Sequence, residues 1–474
     1  MYYILNFFIS LWLILSMFFG GVFTFSLRND FSKDAWFLKQ QPANAAEQLA
    51  FLPTERQTAH AELEYYGFVH FGVNTFTGLQ LGTGKEDPKI FNPAKLDTDQ
   101  WAKSMADAGM KGAILTAKHH DGFCLWPSAY TEFSVKNSAY QGGRGDVVRE
   151  FADSCRKYGL KFGFYLSPFD LNAPSFGQGE AYNDYFVQQL EELLSNYGDV
   201  FAVWFDNYIT DEYKGRQTYD WNRFTALIRE KQPMAVVCVG PPDLDVAWVG
   251  NEDGLANGNV SSVRERAGKL IWAKSECDVS IRSSWFYLDK EVPKTTTQLM
   301  HIYYNSVGMN CALLLNIPPN RDGLFDEKDV KQLLAFRKKI DEIYASPVIP
   351  AAVSLLDKDG SVNRSAALDT ILNDDADSYV FSDTEYILDV QLQTPERLKH
   401  IILSEDSNHY SERVRKASVY AKWGPWYMRI GKAESAGNKT IVKLSTLTPR
   451  ASEYRIVIEE SKAAPVLRYV GFLK

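Results

Sequence analysis

Short apolar runs alternate with stretches of helical period along most of the chain. The runs are residues 67–72, 112–116, 162–166, 200–205, 235–239, 270–272 and 312–315. Runs of this length without a regular polar face are typical of parallel strands that are buried on both sides. The pattern therefore predicts a parallel sheet covered by helices.

The amphipathic stretches between the runs predict helices. Three of them, residues 98–109, 146–158 and 182–197, end at or just before a glycine, which readily takes the left-handed conformation that closes a helix. In the second stretch Val148, Phe151 and Cys155 fall on one face. Strand and helix repeat in this way over roughly 280 residues, which predicts a (β/α)8-type barrel whose site lies at the carboxyl ends of the strands.

The pattern changes near Ser346. From there to Lys474, short segments of alternating apolar and polar residues are separated by turn residues, as at 387–392, 416–420 and 454–458. Alternation with period two indicates strands that bury one face. We predict three segments: a leader over residues 1–26, a (β/α)8-like domain over 27–345 and an antiparallel β-sandwich over 346–474.

The leader has no charged side chain between Tyr2 and Phe25. A helix of that length spans the ~30 Å hydrocarbon core, but one apolar run at the extreme N-terminus is more typical of a signal peptide. It lacks a basic start and a clear cleavage motif, so a retained membrane anchor is the alternative. We predict export to the periplasm or beyond, with membrane contact limited to residues 2–25.

Composition narrows the class of protein. Hydrophobic residues make up 45% and charged residues 23% of the 474 residues, which excludes a mostly disordered chain. The net charge of −8 lacks the basic excess that nucleic-acid binding requires. No G-x-G-x-x-G motif follows a strand to suggest a nucleotide. The five cysteines have no C-x-x-C spacing, so we predict small buried side chains and no disulfide framework.

Polar residues stand where the first four predicted strands end, and there they face the barrel mouth. The first strand carries His70, the second leads into His119 and His120, and the fourth leads into Asp206. Adjacent histidines point to opposite faces if the strand continues through them, which disfavours a shared metal. We predict no metal. Neutral imidazoles that bind substrate hydroxyls are the preferred interpretation, and buried structural histidines are the alternative.

Two carboxylates complete the candidate site. Asp206 follows an apolar run, and such a residue either caps the next helix or takes part in chemistry. Glu252 stands 46 residues later, on the predicted loop after the fifth strand. Two carboxyl groups across a mouth lined by His and Trp suit glycoside hydrolysis, in which one attacks or stabilises the anomeric carbon and the other protonates the leaving oxygen.

Six sequence blocks resemble the α-L-fucosidases of glycoside hydrolase family 29. They are YGFVHFG at 66–72, KHHDGF at 118–123, YLSP at 165–168, WFD at 204–206, WVGNE at 248–252 and NIPPNRDG at 316–323. The blocks occur in family order over roughly residues 59–343, and the predicted C-terminal sandwich resembles the family's accessory domain. The block that ends in Asn251 and Glu252 resembles the branch that prefers α-1,3- and α-1,4-linked fucose.

The resemblance implies a retaining exo-α-L-fucosidase that acts on fucosylated oligosaccharides or glycoconjugates without a cofactor. Asp206 falls at the position of the nucleophile and Glu252 at that of the acid/base. The implied sugar-binding positions are His70, His119, His120, Tyr165, Trp204 and Trp285. Trp126 is also a candidate for binding the substrate, and a packing role is an equal alternative for it. For Trp285 the alternative to sugar binding is a buried aromatic in the core.

The chain departs from the family pattern at positions where the family recognises the sugar. Gln80 and Leu81 stand where the branch usually has a Glu-Trp pair that recognises the axial hydroxyl. A Trp that is common after the third strand is absent, and Ala247 stands where an Arg is common. We keep Gln80 as a binding candidate. The resemblance therefore supports the assignment of the reaction better than it supports the identity of the sugar.

Two other functions fit the same residues. One is a retaining glycosidase for another L-galacto-configured sugar, and the other is a lectin-like glycan binder without turnover. The presence of both Asp206 and Glu252 argues against the binder, because binding alone does not require two opposed carboxylates.

Overall fold

The structure is a computed structural model that describes residues 45–256, 260–356, 362–363, 368–374, 377–382, 384 and 386–474. The predicted leader and its membrane contact lie outside these residues. Within the described ranges, no helix has both the length and the apolar character to cross a bilayer. The chain divides into two compact units: residues 53–307 with 311–341, and residues 342–474 with 308–310 and the described residues up to Leu52.

Eight parallel strands close into a barrel in the first unit, which confirms the predicted fold class. The strands of this unit are β1 (Tyr65–Val69), β2 (Gly112–Lys118), β3 (Lys161–Leu166), β4 (Ala202–Trp204), β5 (Val236–Cys238), β6 (Val246–Trp248), β7 (Val263–Arg266), β8 (Lys269–Trp272), β9 (Lys274–Ser280) and β10 (Ala312–Asn316). The barrel runs from β1 to β6, continues through β9 and β10, and closes by pairing β10 with β1. β7 and β8 form a separate antiparallel hairpin.

Helices connect the strands and flank them. In chain order they are α1 (Ala45–Leu49), α2 (Glu55–Ala61), α3 (Val73–Thr77), α4 (Thr98–Asp107), α5 (Val147–Lys157), α6 (Glu180–Asn196), α7 (Trp221–Lys231), α8 (Thr296–Tyr304), α9 (Glu327–Tyr344) and α10 (Ser407–Tyr410). The three predicted helices are α4, α5 and α6. Side-chain caps fix two starts: Asp97 accepts from the backbone N–H of Gln100, and Asp146 accepts from that of Arg149.

The strand prediction was wrong in one part of the barrel. Residues 270–272 lie in the β7–β8 hairpin, while β6 and β9 were not predicted as strands. The reason is the polarity of β9, which places Glu276 and Asp278 in the buried interior, so no apolar run marks it. Glu252 consequently follows the sixth barrel strand instead of the fifth.

The second unit contains two antiparallel sheets that share one core, as predicted for a sandwich. Its strands are β11 (Ala352–Leu356), β12 (Val362–Asn363), β13 (Tyr379–Val380), β14 (Tyr386–Glu396), β15 (His400–Glu405), β16 (Val414–Trp423), β17 (Trp426–Ala433), β18 (Thr440–Lys443), β19 (Ala451–Ser461) and β20 (Val466–Leu473). Six strands form the larger sheet, in the order β12-β11-β14-β19-β16-β17, and β13-β20-β15-β18 form the smaller one. Trp423 and Trp426 are exposed at the β16–β17 turn.

All five cysteines belong to the described part of the chain, where they are buried and form no disulfide. This confirms the sequence prediction.

A buried hydrogen-bond network lies in the barrel interior. The Trp204 indole N–H donates to Oε1 of Glu276 at 2.8 Å, and the Tyr66 hydroxyl donates to Oε2 of the same carboxyl. Tyr66 also contacts Nε2 of His60 on α2 at 2.8 Å. The network therefore joins α2, β1, β4 and β9. Two further contacts place α2 at the amino ends of β6 and β9: Arg56 pairs with Asp245, and Gln57 donates to the carbonyl of Trp272.

Candidate active site

A cavity of about 370 Å³ lies at the carboxyl ends of the barrel strands. Its lining residues are Phe68, His70, Gln80, Leu81, His119, His120, Tyr165, Trp204, Asp206, Asn207, Tyr208, Val239, Trp248, Glu252, Asp278 and Trp285. Every site residue proposed from the sequence is in this set except Trp126. The topology of the barrel thus brings together side chains that are up to roughly 200 residues apart in the sequence.

Trp126 does not line the cavity. Its side chain is buried, and its indole N–H donates to Oε2 of Glu192 on α6 at 2.8 Å. The Ser128 hydroxyl donates to the same oxygen. Trp126 therefore anchors the segment after β2 to α6, and the proposal that it binds substrate is corrected to a packing role.

Asp206 lies two residues beyond the end of β4 and is held through both carboxyl oxygens. Oδ2 accepts from the Tyr165 hydroxyl at 2.9 Å, and Oδ1 accepts from the backbone N–H of Tyr208 at 2.8 Å. The capping alternative is wrong, because α7 is capped by Asp220, which accepts from the N–H of Arg223. Asp206 is therefore a fixed carboxyl group on the cavity wall.

Glu252 reaches the cavity from the loop after β6, which is separated from β4 by one strand, β5. Its Oε2 accepts from the indole N–H of Trp285 at 3.0 Å, and its side chain is exposed. Asn251 shapes this loop, since its side chain accepts from the N–H of Asp253 and donates to the carbonyl of Leu255. A carboxyl group that is oriented by an indole yet open to solvent can exchange a proton with a departing group.

His119 and His120 both line the cavity, because the condition for their pointing to opposite faces, a strand that continues through them, is not met. β2 ends at Lys118, and the strand alternation stops before the two histidines. The ring of His119 stacks on Tyr165 with centroids 5.5 Å apart. Burial lowers the pKa of both histidines below the ordinary value, and it lowers the pKa of His70 to about 3. All three imidazoles are neutral at pH 7.

The hydrogen bonds of His70 define its tautomer. Nδ1 lies 2.9 Å from Oδ1 of Asn316, whose amide nitrogen donates to the Ser280 hydroxyl and to the carbonyl of Trp285. These two contacts fix Oδ1 of Asn316 as an acceptor, so Nδ1 of His70 carries the proton. Nε2 of His70 is then a hydrogen-bond acceptor.

The same argument applies to His120. Its Nδ1 lies 2.7 Å from the Ser167 hydroxyl, which itself donates to the carbonyl of Phe169 at 2.6 Å. Nδ1 is therefore the protonated nitrogen, and Nε2 is left as a hydrogen-bond acceptor. Nε2 lies 3.6 Å from Oδ2 of Asp206. Neutral acceptors on the cavity wall suit hydroxyl groups of a sugar, which can donate to them.

Gln80 connects two parts of the cavity wall. Its Oε1 accepts from the backbone N–H groups of Trp285 and Phe286, both at 3.0 Å. Its Nε2 is buried without a hydrogen-bond partner, and Leu81 beside it also lines the cavity. The Trp285 ring lies against His70 with centroids 5.0 Å apart and lines the cavity, while it also packs partly buried against the barrel interior.

Sequence reasoning missed Asp278 and Tyr208. Asp278 is two residues after Glu276 on β9, so both acids point into the barrel. The alternation of the two acids was a usable signal, but it fell in a segment that was not predicted as a strand. Tyr208 lies with its ring centroid 5.2 Å from that of His120, and it is 45% exposed.

One cluster among the described residues has the donor types and spacing of a metal site. Donor atoms of His60, Cys238 and Glu276 lie within 4.8 Å of one another. Glu276 already accepts from Tyr66 and Trp204, and burial raises the pKa of the Cys238 thiol well above its usual value. These donors fit a neutral hydrogen-bonded network better than a cation.

The family model for α-L-fucosidase matches residues 21–339 of this chain. The chain belongs to the α-L-fucosidase family. It is a glycoside hydrolase of family 29, as the sequence blocks suggested, and its structural neighbours include several fucosidases.

Relatives resemble this α-L-fucosidase over most of its length. Alpha-L-fucosidase 1 of Arabidopsis thaliana is 35% identical over 430 residues, which cover 85% of this chain and 84% of the plant protein. The crystal structure of a glycoside hydrolase 29 family member from an unknown rumen bacterium is 35% identical, with a TM-score of 0.78 over 89% of this chain and 77% of that chain. A Ruminococcus gnavus GH29 fucosidase mutant in complex with fucose is 26% identical, with a TM-score of 0.78 over 90% of this chain and 95% of that chain.

Proposed function

We propose that this α-L-fucosidase is a retaining exo-enzyme that removes terminal α-1,3- or α-1,4-linked fucose from glycans. Asp206 is the nucleophile and Glu252 is the acid/base. One observation carries the proposal: both carboxyls line the same cavity, each is oriented by a hydrogen bond from an aromatic side chain, and three neutral histidines lie beside them. The linkage preference is supported by the Asn251–Glu252 block.

The proposed reaction has two displacements. An oxygen of Asp206 attacks the anomeric carbon while Glu252 gives its proton to the glycosidic oxygen, so the bond to the leaving saccharide breaks. Glu252 then takes a proton from water, the water oxygen attacks the anomeric carbon, and the bond to Asp206 breaks. The Tyr165 hydroxyl and the Tyr208 N–H orient the attacking carboxylate and bind it again when it is released.

Product stereochemistry tests this mechanism directly. We expect ¹H NMR of the early reaction with an aryl α-L-fucoside to show the α-anomer of fucose first, with the β-anomer appearing only through mutarotation, because two displacements retain configuration. The same measurement after complete mutarotation provides the equilibrium reference. Initial formation of the β-anomer contradicts the assignment of Asp206 as a nucleophile.

The pair Gln80 and Leu81 leads to a prediction about the sugar. A Glu at position 80 keeps the two backbone hydrogen bonds and offers a charged acceptor where Gln80 has a donor. An acceptor carboxylate contributes ~1.5–3 kcal/mol, against ~0.5–1.5 for a neutral amide. An indole at position 81 adds apolar contact. We expect Gln80→Glu with Leu81→Trp to raise kcat/KM on an aryl fucoside by roughly ten-fold or more.

A matched control separates pocket effects from a general effect of added bulk. Leu79→Trp places an indole on a neighbouring exposed residue that does not line the cavity, and it should not raise the rate. An unchanged or lower kcat/KM in the folded Gln80→Glu, Leu81→Trp variant would show that this segment does not recognise the sugar.

A further inference from the structure

A carboxyl group lies in the barrel interior, below the cavity. Glu276 on β9 is fully buried and does not line the cavity. Both of its oxygens accept a hydrogen bond, Oε1 from the Trp204 indole and Oε2 from the Tyr66 hydroxyl. The proposed reaction assigns Glu276 no role. An apolar side chain would fill this interior position at a lower desolvation cost, which indicates a use for the carboxyl group beyond packing.

The hydrogen bond between Glu276 and Trp204 crosses the barrel. Trp204 ends β4, and two strands, β5 and β6, separate β4 from β9 in the barrel order. Trp204 is buried and lines the cavity, so its ring lies between the carboxyl group and the sugar site. An indole has a single N–H donor. The bond to Glu276 therefore fixes the rotation of the ring about its side-chain bonds.

The Trp204 ring supports the side chain that orients Asp206. Tyr165 on β3 is the register partner of Trp204, and their rings stack with centroids 5.4 Å apart and planes at 21°. From the β2 side, the ring of His119 stacks on Tyr165 at 5.5 Å and 14°. Tyr165 thus lies between two nearly parallel rings, and its hydroxyl donates to Oδ2 of Asp206 at 2.9 Å.

These contacts form a continuous path from Glu276 to Asp206. The path runs from the carboxyl group to the indole, from the indole to the phenol ring of Tyr165, and from the phenol hydroxyl to Oδ2. The other oxygen of Asp206 accepts from the N–H of Tyr208, which belongs to the chain after β4 and lies outside the path. Loss of the path therefore leaves Asp206 in the cavity wall but releases one of its two oxygens.

We propose that Glu276 is a positioning residue for the nucleophile and orients it through Trp204 and Tyr165. This rests on the proposed role of Asp206. Glu276 does not touch the sugar, but it holds the indole so that the Tyr165 hydroxyl stays within hydrogen-bond distance of Oδ2. A misplacement of about 1 Å at a reacting group costs up to about 10²-fold in rate. Removal of the Glu276 carboxyl group should therefore slow the first displacement without preventing it.

The test measures how fast each variant forms the fucosyl-enzyme. The probe is 2-deoxy-2-fluoro-α-L-fucosyl fluoride: Asp206 attacks the anomeric carbon, fluoride leaves, and the fluorine at C2 slows hydrolysis of the ester. Mass spectrometry gives the labelled fraction, and its increase with time gives the rate. We expect Glu276→Leu to reach one label per chain, as the wild type does, at a rate roughly ten- to hundred-fold lower. Partial loss of the fold would instead label a smaller fraction at the wild-type rate.

Glu276→Gln is the conservative variant. Its carbonyl oxygen accepts from the Trp204 indole, and its amide donates to the Tyr66 hydroxyl, which then donates to Nε2 of His60. His60 permits this exchange because burial lowers its pKa to about 3 and keeps the ring neutral. We expect a labelling rate within about three-fold of the wild type, since the acceptor for the indole is retained.

Tyr66→Phe is the matched control within the same network. It removes the other donor to Glu276 and leaves the bond to Trp204 in place. Tyr66 does not line the cavity. Its replacement should also keep the labelling rate within about three-fold of the wild type, because the path to Asp206 does not pass through it.

Trp204→Phe tests the path from its other partner. It removes the indole N–H and keeps an aromatic ring against Tyr165. We expect full labelling at a rate roughly ten-fold or more below the wild type. Because both substitutions break the same hydrogen bond, Trp204→Phe combined with Glu276→Leu should be no slower than the slower single variant. The double variant leaves neither partner of that bond unpaired, so it tests the proposal if circular dichroism shows that Glu276→Leu does not fold.

Four results would overturn the role of Glu276. They are a wild-type rate in fully labelled Glu276→Leu, a reduced labelled fraction at the wild-type rate, a loss in Glu276→Gln or Tyr66→Phe as large as that in Glu276→Leu, and losses that multiply in the double variant. A failure of the proposed mechanism is distinguishable from these, because the wild-type enzyme itself would then remain unlabelled or carry the label on a residue other than Asp206.

Discussion

Asp206→Gly is expected to lose roughly 10⁴-fold or more in kcat/KM on an aryl α-L-fucoside, because removal of the nucleophile prevents the first displacement. Glycine leaves a space beside Tyr165 and the Tyr208 N–H, and azide can enter it. Azide then attacks the anomeric carbon from the side that Asp206 occupied, the bond to the aryl oxygen breaks, and β-L-fucosyl azide forms. Release of the aryl group and NMR of the azide product measure the two steps.

Asp220→Gly is the matched control for that variant. It makes the same replacement at the cap of α7, outside the cavity, and costs only roughly a few tenths of a kcal/mol of stability, because glycine is itself tolerated at the cap position. It should therefore keep its turnover. Near-normal hydrolysis by Asp206→Gly, or formation of the α-azide in that variant, would contradict the assignment of the nucleophile.

Glu252→Ala is expected to separate substrates by their leaving groups. General acid catalysis contributes about 10²–10⁴-fold. We expect a loss of that size on a fucosylated disaccharide and a much smaller loss on an aryl fucoside whose phenolate leaves without protonation. Azide should attack the fucosyl-enzyme in this variant, break its bond to Asp206 and give α-L-fucosyl azide. The two variants thus yield azides of opposite configuration.

Asp253→Ala controls for changes in the loop. Asp253 is exposed next to Glu252 and does not line the cavity, so its replacement should not produce a dependence on the leaving group. Equal losses on good and poor leaving groups in Glu252→Ala would assign the acid/base to another residue.

The barrel could be predicted from the sequence because most of its strands are apolar on both faces. Six of the seven predicted runs overlap barrel strands, and the exception, residues 270–272, is apolar but belongs to a hairpin. β9 was missed because its inward positions carry Glu276 and Asp278. β9 therefore lacks the apolar run that identifies the neighbouring strands. Its inward positions carry polar groups that belong to the site and to the buried hydrogen-bond network.

The site could be predicted where residue type and position at a strand end coincide. Asp206 and His70 are examples. Trp126 and Trp204 show the limit, because both follow or end a strand and both are buried, yet only Trp204 lines the cavity. What separates them is the course of the chain after β2, which turns Trp126 toward Glu192. To predict where the side chains of His119 and His120 point, one must know the residue at which β2 ends, and strand propensity alone does not give that residue.

The closed lower end of the cavity determines the order in which the products leave. Phe68, Trp204 and Val239 belong both to the cavity lining and to the packed barrel interior, and α2 covers the amino ends of β6 and β9. The pocket is therefore closed at its base. A sugar bound there cannot be followed by a further residue of the glycan, and it can leave only through the mouth of the pocket. Under the proposed retaining mechanism, fucose departs last, after the saccharide above it has gone, and in that interval we expect a second saccharide alcohol in the vacated space to compete with water as the fucose acceptor.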